Sequence, residues 1–211
     1  MIFFSSKNKI KDLTDEELVE LSKVSDERAY AELVSRYEQN IYNLALRITG
    51  NEEDASDILQ ETFIQAFKKL DSFRGDSKFS TWIYRIGTNY ALMKKRKDKR
   101  DMSISLDRPI LTGKGDELPR QLTDDWTNTP FDILENKEVK EKLDKAISQL
   151  HPDYRLPLVL RDLNGLSNKE VSSILNISVP AVKSRVHRAR LFLRESLGDY
   201  FHSKEADRHE S

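Results

Sequence analysis

The chain has 211 residues, 37% hydrophobic and 34% charged, with a formal net charge of −1 and no cysteine. This size and patterning suit two small domains, and they exclude wholesale disorder, a disulfide scaffold, a thiolate metal site and a cysteine nucleophile. The opening MIFF is far too short an apolar run for a signal-peptide core and no stretch approaches a membrane span, so a cytoplasmic protein without membrane insertion is expected.

In chain order, the first predicted element is a helix in TDEELVELSK, opened by a capping box in which Thr14 and Glu17 satisfy each other's end amides. A second helix follows from the helical recurrence of Ala31, Leu33, Val34, Tyr37, Ile41, Leu44, Ala45 and Ile48, and it stops at Gly50. Ile58, Leu59, Phe63, Ala66, Phe67 and Leu70 repeat the rhythm in a third helix, whose start, NEEDASDILQE, carries five acids and no base. A polar, glycine-containing loop then leads into a fourth helix capped by Ser80, with Trp82, Ile83, Ile86 and Tyr90 on its core stripe. The end of that helix, KKRKDKR, holds six bases and one acid.

Residues 101–134 break the pattern, with seven acids against three bases, three of the six prolines, and no sustained period of either kind. A structureless segment of that length inside one compact domain is unusual, so it reads as a flexible acidic linker. The expected organisation is an amino-terminal extension 1–13, a helical domain 14–100, the linker 101–134, a second helical domain 135–198 and a tail 199–211. Both domains are expected to be all-α, because no convincing period-two strand occurs.

The second domain opens with Val139, Leu143, Ile147 and Leu150 on one helical stripe. HPDYRLPLVLRDLNG must be helical to bury Leu156, Val159, Leu160 and Leu163, with a bend at Pro157, whose clash with the Asp153 carbonyl falls in the first turn. A second capping box, Ser167 to Glu170, starts a helix over 168–175. The connection NIS then leads to a last helix from Val179, with Ser178 as its cap, Pro180 in its first turn and Gly198 at its expected stop.

Two helices joined by so short a turn make a helix-turn-helix, whose second helix lies in the major groove of DNA. Residues 179–194 carry five bases and no acid. Val182, Val186, Ala189 and Leu193 follow the inward rhythm, which leaves Lys183, Ser184, His187 and Arg188 on the groove face and Arg185, Arg190 and Arg194 on the flanks, suited to phosphates. A merely solvated basic helix is the bland alternative, and the capped helix and turn ahead of it weigh against that.

In the first domain, residues 73–100 interleave aromatic and basic side chains, the combination that stacks unpaired bases. Phe73 and Asn89 are the candidates for base contact there. The Asp54, Asp57 and Glu61 side of the third helix, with Gln60, suits protein binding better than a metal, since no histidine accompanies it and acids suit a helix start. Neither a metal nor a cofactor is expected.

DILQETFIQAFKKLDSFRGDSKFSTWIYRIGTNYA, followed after an acidic linker by LPLVLRDLNGLSNKEVSSILNISVPAVKSRVHRARLFLRE, closely resembles bacterial sigma factors of the extracytoplasmic-function (ECF) group. The resemblance covers about residues 14–100 and 135–197. It implies that the first domain, region 2, binds core RNA polymerase through Asp57, Gln60, Glu61 and Phe63. It implies that the loop Phe73, Arg74, Gly75, Asp76, Ser77, Lys78 and Phe79, with Asn89, captures a flipped base of the minus-ten element. Lys94, Lys95, Arg96 and Lys97 would follow the opened strand.

By the same resemblance the second domain, region 4, reads the minus-thirty-five element through Lys183, Ser184, His187 and Arg188. The two elements, about 17 steps apart, lie ~58 Å from each other at ~3.4 Å per step, which a linker of this length spans with slack. Trp126 could anchor that linker on polymerase or make a self-contact. The family further implies a non-enzymatic initiation factor, promoter DNA as partner, and an anti-sigma factor that clamps both domains. The extra regions of housekeeping sigma factors have no counterpart here, which implies a narrower promoter set. Two rival readings are a helix-turn-helix regulator acting without polymerase and a metal-dependent nuclease.

Overall fold

The computed structural model describes residues 10–101 and 137–209, and all the regular structure in them is helical. The linker with Trp126 lies outside the described residues, as does most of the amino-terminal extension. Helix α1 (Asp15–Lys23) starts on the expected capping box: the Glu17 amide donates to Thr14 Oγ1 at 3.3 Å and the Thr14 amide to Glu17 Oε2 at 2.8 Å. Helix α2 (Glu27–Thr49) begins at Asp26 and ends at Gly50, which takes the left-handed conformation, φ 77°, that a side chain resists. Asn51 caps α3 (Glu52–Lys69), and a 3₁₀ turn (Leu70–Ser72) and a loop lead to α4 (Phe79–Asp101). Leu33, Ile41 and Leu44 of α2, Ala55 and Ala66 of α3, and Phe79 and Ile83 of α4 are essentially inaccessible to water and form the core of this unit.

The second unit holds α5 (Lys137–Gln149), α6 (Pro152–Leu158), α7 (Asn168–Leu175) and α8 (Val179–His209). Pro157 does not break the helix. The helix continues past it and widens into a π turn over Val159–Leu163, closed by the Asn164 amide on the Val159 carbonyl at 3.0 Å. This turn sets Asp162 against α8. Leu158, Val159, Leu160, Val171, Val182, Ala189 and Leu193 are fully buried around it.

Two expected boundaries move. Helix α4 starts at Phe79, with the Trp82 amide on the Lys78 carbonyl at 3.2 Å, so Ser80 stands in the first turn and not at the cap. Helix α8 runs through Gly198, because one glycine costs a helix only about 1 kcal/mol and no proline follows to stop it. The two units touch: α4 meets α7, and α2 meets α5 and α6.

Candidate nucleic-acid interface

The connection between α7 and α8 is built by local hydrogen bonds. Asn176 takes a left-handed φ of 52°, which its short amide side chain tolerates. The Ile177 amide donates to the Ser172 carbonyl at 3.2 Å, Ser172 Oγ donates to the Ile177 carbonyl at 2.6 Å, and Ser178 Oγ accepts the Ala181 amide at 3.3 Å. With Val182, Val186, Ala189 and Leu193 turned inward as expected, Lys183 and Arg188 are exposed, and Ser184, Arg185 and His187 are half-buried beside them. Arg188 reaches the Tyr154 hydroxyl at 3.4 Å.

Arg190, expected on the phosphate flank, is engaged elsewhere. Its guanidinium grips Asp162 through two bonds of 2.8 and 2.7 Å, and the Asp162 side chain is only 1% exposed. The hydrogen bonds it donates to Asp162 outweigh burial and push the Arg190 pKa up, so the charge persists in a partly buried site. Arg190 ties α8 to the π turn and is not disposed toward a ligand.

In the first unit the aromatic residues also shift role. Phe73 and Phe79 are 9% and 2% exposed, with Trp82 ring-to-ring at 4.9 and 5.8 Å from them, and Tyr37 meets Phe79 at 5.5 Å. Phe73 is therefore part of an aromatic floor and not a free stacking platform. Above that floor Arg74, Gly75, Asp76 and Lys78 are exposed and Ser77 is half-buried, and Gly75 takes φ 76°, which only a residue without Cβ adopts readily. Asn89, Arg96 and Lys97 are exposed on α4. Lys94 and Lys95 fold back on their aliphatic stems: Lys94 Nζ lies 2.7 Å from Asp54 Oδ1, and Lys95 donates to the Ile48 carbonyl at 2.8 Å.

On α3, Asp57, Gln60 and Glu61 are exposed, but Phe63 is 8% exposed and belongs to the core. Phe67, expected in the core, is 57% exposed, and Ile64 is 45% exposed. Asp57, Gln60, Glu61, Ile64 and Phe67 follow one another at intervals of one or three residues around a single face, so the acidic stripe has an apolar half. The signal was present in the spacing from Gln60, which repeats on the side opposite Ile58 and Thr62. Tyr30 supports this face, its ring centre 5.0 Å from that of Phe67 in an edge-to-face contact and its hydroxyl donating to the Phe63 carbonyl at 2.6 Å, and burial raises its pKa to about 12.

Glu170 links the two units. Its carboxylate accepts the Ser167 amide at 2.7 Å to cap α7, accepts the Thr81 hydroxyl at 3.1 Å, and lies 3.6 Å from the Lys78 ammonium. Burial opposes its ionisation, but the Ser167, Thr81 and Lys78 contacts outweigh it and hold the carboxyl below its ordinary 4.5. A depressed folded-state pKa makes this stabilisation complete above the unfolded value and lost as pH falls through the folded one. An NMR titration is expected to place the Glu170 midpoint below 4.5, with the α7 start loosening in the same pH range, and a midpoint above 4.5 rejects the assignment.

Among the described residues no group of His, Cys, Asp and Glu could hold a metal ion, and no helix is long and apolar enough to cross a membrane. The fold and these surfaces define a two-domain helical protein with a helix-turn-helix in its second domain. Residues 33–101 match the family Sigma-70 region 2, and residues 140–193 match Sigma-70, region 4. The ECF RNA polymerase sigma factor SigW of Bacillus subtilis (strain 168) is 39% identical over 177 residues, 84% of this chain and 93% of that protein. The ECF RNA polymerase sigma-E factor of Escherichia coli (strain K12) is 35% identical over 179 residues, 84% of this chain and 91% of that one. The chain belongs to the ECF RNA polymerase sigma factors. Among solved structures, CnrH in complex with the cytosolic domain of CnrY is similar at TM-score 0.61 and 24% identity, covering 88% of this chain and 97% of that one. The sigma factor RpoE of Bartonella quintana, in complex with the anti-sigma factor NepR, is similar at TM-score 0.59 and 22% identity, covering 80% and 96%. These two likenesses speak to the fold.

Proposed function

We propose that this sigma factor docks on core RNA polymerase through the α3 face of Asp57, Gln60, Glu61, Ile64 and Phe67. Region 4 then reads the upstream duplex through Lys183, Ser184, His187 and Arg188, with Arg185 toward phosphate. Region 2 takes an unpaired base between the rim Arg74–Lys78 and Asn89, and Lys94, Lys95, Arg96 and Lys97 track the opened strand. Phe63, Phe73, Phe79 and Arg190 act by positioning these groups. The domain limits 14–100, 101–134 and 135–198 go with this division of labour.

The observation that carries the reading is the pairing, in one chain, of an exposed acidic and apolar helix face with a helix-turn-helix whose Lys183 and Arg188 are exposed. A duplex-binding regulator acting alone has no use for the first. On this reading the chain is a cytoplasmic initiation factor that catalyses no reaction of its own and opens DNA with binding energy, and an anti-sigma factor is its proposed inhibitor. Run-off transcription with purified core polymerase tests it: specific initiation is expected, and duplex binding without initiation favours the lone regulator.

Two variant sets refine the roles. Changing Gln60→Ala together with Glu61→Ala is expected to weaken polymerase binding about tenfold in a pull-down titration while the α8 surface still binds duplex. Arg188→Ala is expected to cost about 1–3 kcal/mol at one promoter position and to relax specificity there, whereas Lys97→Ala weakens all sequences alike and lowers the salt slope by about 1. Binding isotherms on a set of promoter point variants separate the two, and identical sequence profiles for both changes contradict the assignment.

A further inference from the structure

The end of α2, the later turns of α4 and the start of α6 border a cavity of about 170 Å³. Its walls are apolar: Ile48 of α2, Leu92 of α4, and Pro152 and Leu156 of α6. Its charged lining is entirely cationic, Lys95 and Arg96 of α4 and Arg155 of α6, with no carboxylate among the lining residues. Lys95 donates to the Ile48 carbonyl at 2.8 Å. Arg96 is exposed and has no hydrogen-bond or ion-pair partner among the described residues.

Two partly buried arginines of the second unit differ in what surrounds them. Arg190 has the Asp162 carboxylate, whose hydrogen bonds raise its pKa. Arg155 has main-chain carbonyls alone, those of Arg47 at 3.3 Å, Leu150 at 2.7 Å and Ser148, and its buried Nε has no partner among the described residues. Burial therefore goes uncompensated there and pushes the Arg155 pKa down. Carbonyl dipoles offset only part of the cost of burying a guanidinium, and a carboxylate offsets more through charge-assisted bonds. Three positive side chains around one cavity also repel one another, so an anion placed among them is favoured by all three.

We propose that this cavity is a binding site for a small organic anion, an aryl carboxylate whose ring lies against Ile48, Leu92, Pro152 and Leu156 and whose carboxylate meets Arg96 and Arg155. An apolar cavity of ~150 Å³ takes a benzene ring, so the space here suits one ring with one charged group and is too small for a nucleotide. Lys95 and Arg96 are also among the groups assigned to the opened strand, so the bound anion competes with that strand. The competition rests on the proposed function, whereas the site itself does not.

Benzoate is the probe, with benzamide, which keeps the ring without the charge, and acetate, which keeps the charge without the ring, at matched ionic strength. Titrated into the full chain and followed by methyl NMR, benzoate is expected to give saturable shifts at Ile48, Leu92 and Leu156 and to bind about tenfold tighter than either control. Arg96→Gln, at an exposed position, is expected to weaken benzoate about fivefold to tenfold and to leave benzamide unchanged. Shifts that never saturate or that scatter over the basic surface, equal binding of the three compounds, or benzoate binding unaltered by Arg96→Gln each overturn the site. Anisotropy of a labelled minus-ten single strand on the same chain reads the competition: saturating benzoate, unlike acetate, is expected to weaken strand binding about threefold or more. A strand that binds and is indifferent to benzoate overturns the competition. A chain that neither binds the strand nor supports run-off transcription rejects the promoter reading instead, and the methyl titration still decides the site.

Discussion

Arg190→Ala is expected to destabilise region 4 by about 3–5 kcal/mol, because it strands the Asp162 carboxylate in a site where that side chain is 1% exposed. The cost arises from the buried charge left behind and not from a lost promoter contact. Urea unfolding followed by circular dichroism measures it. Arg190→Lys, which keeps the charge but loses the two-pronged geometry, should fall between the wild type and Arg190→Ala. Promoter capture by Arg190→Ala should recover under conditions that restore folding. A stable Arg190→Ala protein with weakened DNA binding would return this residue to the phosphate flank where sequence reasoning placed it.

Phe79→Ala is expected to remove about 3–5 kcal/mol from region 2 and to disorder the rim above it. Phe79 is the largest fully buried side chain described, and Tyr37, Phe73 and Trp82 all rest against it. Its loss leaves a cavity that the surrounding rings cannot close without tilting, and the loop carrying Arg74 to Lys78 is anchored at both ends by this cluster. Thermal unfolding reads the stability. Binding of a single-stranded minus-ten oligonucleotide at low temperature, where the variant is still folded, reads the rim. Loss of stability with full oligonucleotide binding would mean the rim is held by its own backbone, including Gly75, and not by the aromatic floor.

The two variants illustrate one arrangement. In each unit, exposed polar groups share an element with a buried polar or aromatic tie: Lys183 and Arg188 with Arg190, which grips Asp162, and Arg74 to Lys78 with the flanking Phe73 and Phe79. The α3 face follows the same logic, with Tyr30 holding the Phe63 carbonyl and meeting the Phe67 ring. Support of this kind keeps contact groups in place before the partner arrives, which reduces the ordering that binding has to bring about.

What the sequence by itself determined is whatever depends on neighbours three or four residues away. The capping boxes at Thr14 and Ser167, the stop at Gly50, the short turn before Val179 and the inward stripe of Val182, Val186, Ala189 and Leu193 all close hydrogen bonds or faces within one or two helical turns. Those local rules also carried the all-α class and the exposure of Lys183, Arg188, Gln60 and Glu61. Only the tertiary structure decided which aromatic and basic side chains turn inward. Phe73 and Phe79 flank a loop and could face either way until Tyr37, from a helix more than 30 residues earlier, closed over Phe79. Arg190 reads as one more base until a π turn 28 residues upstream presents Asp162 to it. The contacts between the two units join residues 80 to 108 positions apart, and no local pattern encodes such a meeting, since it depends on how two finished surfaces fit.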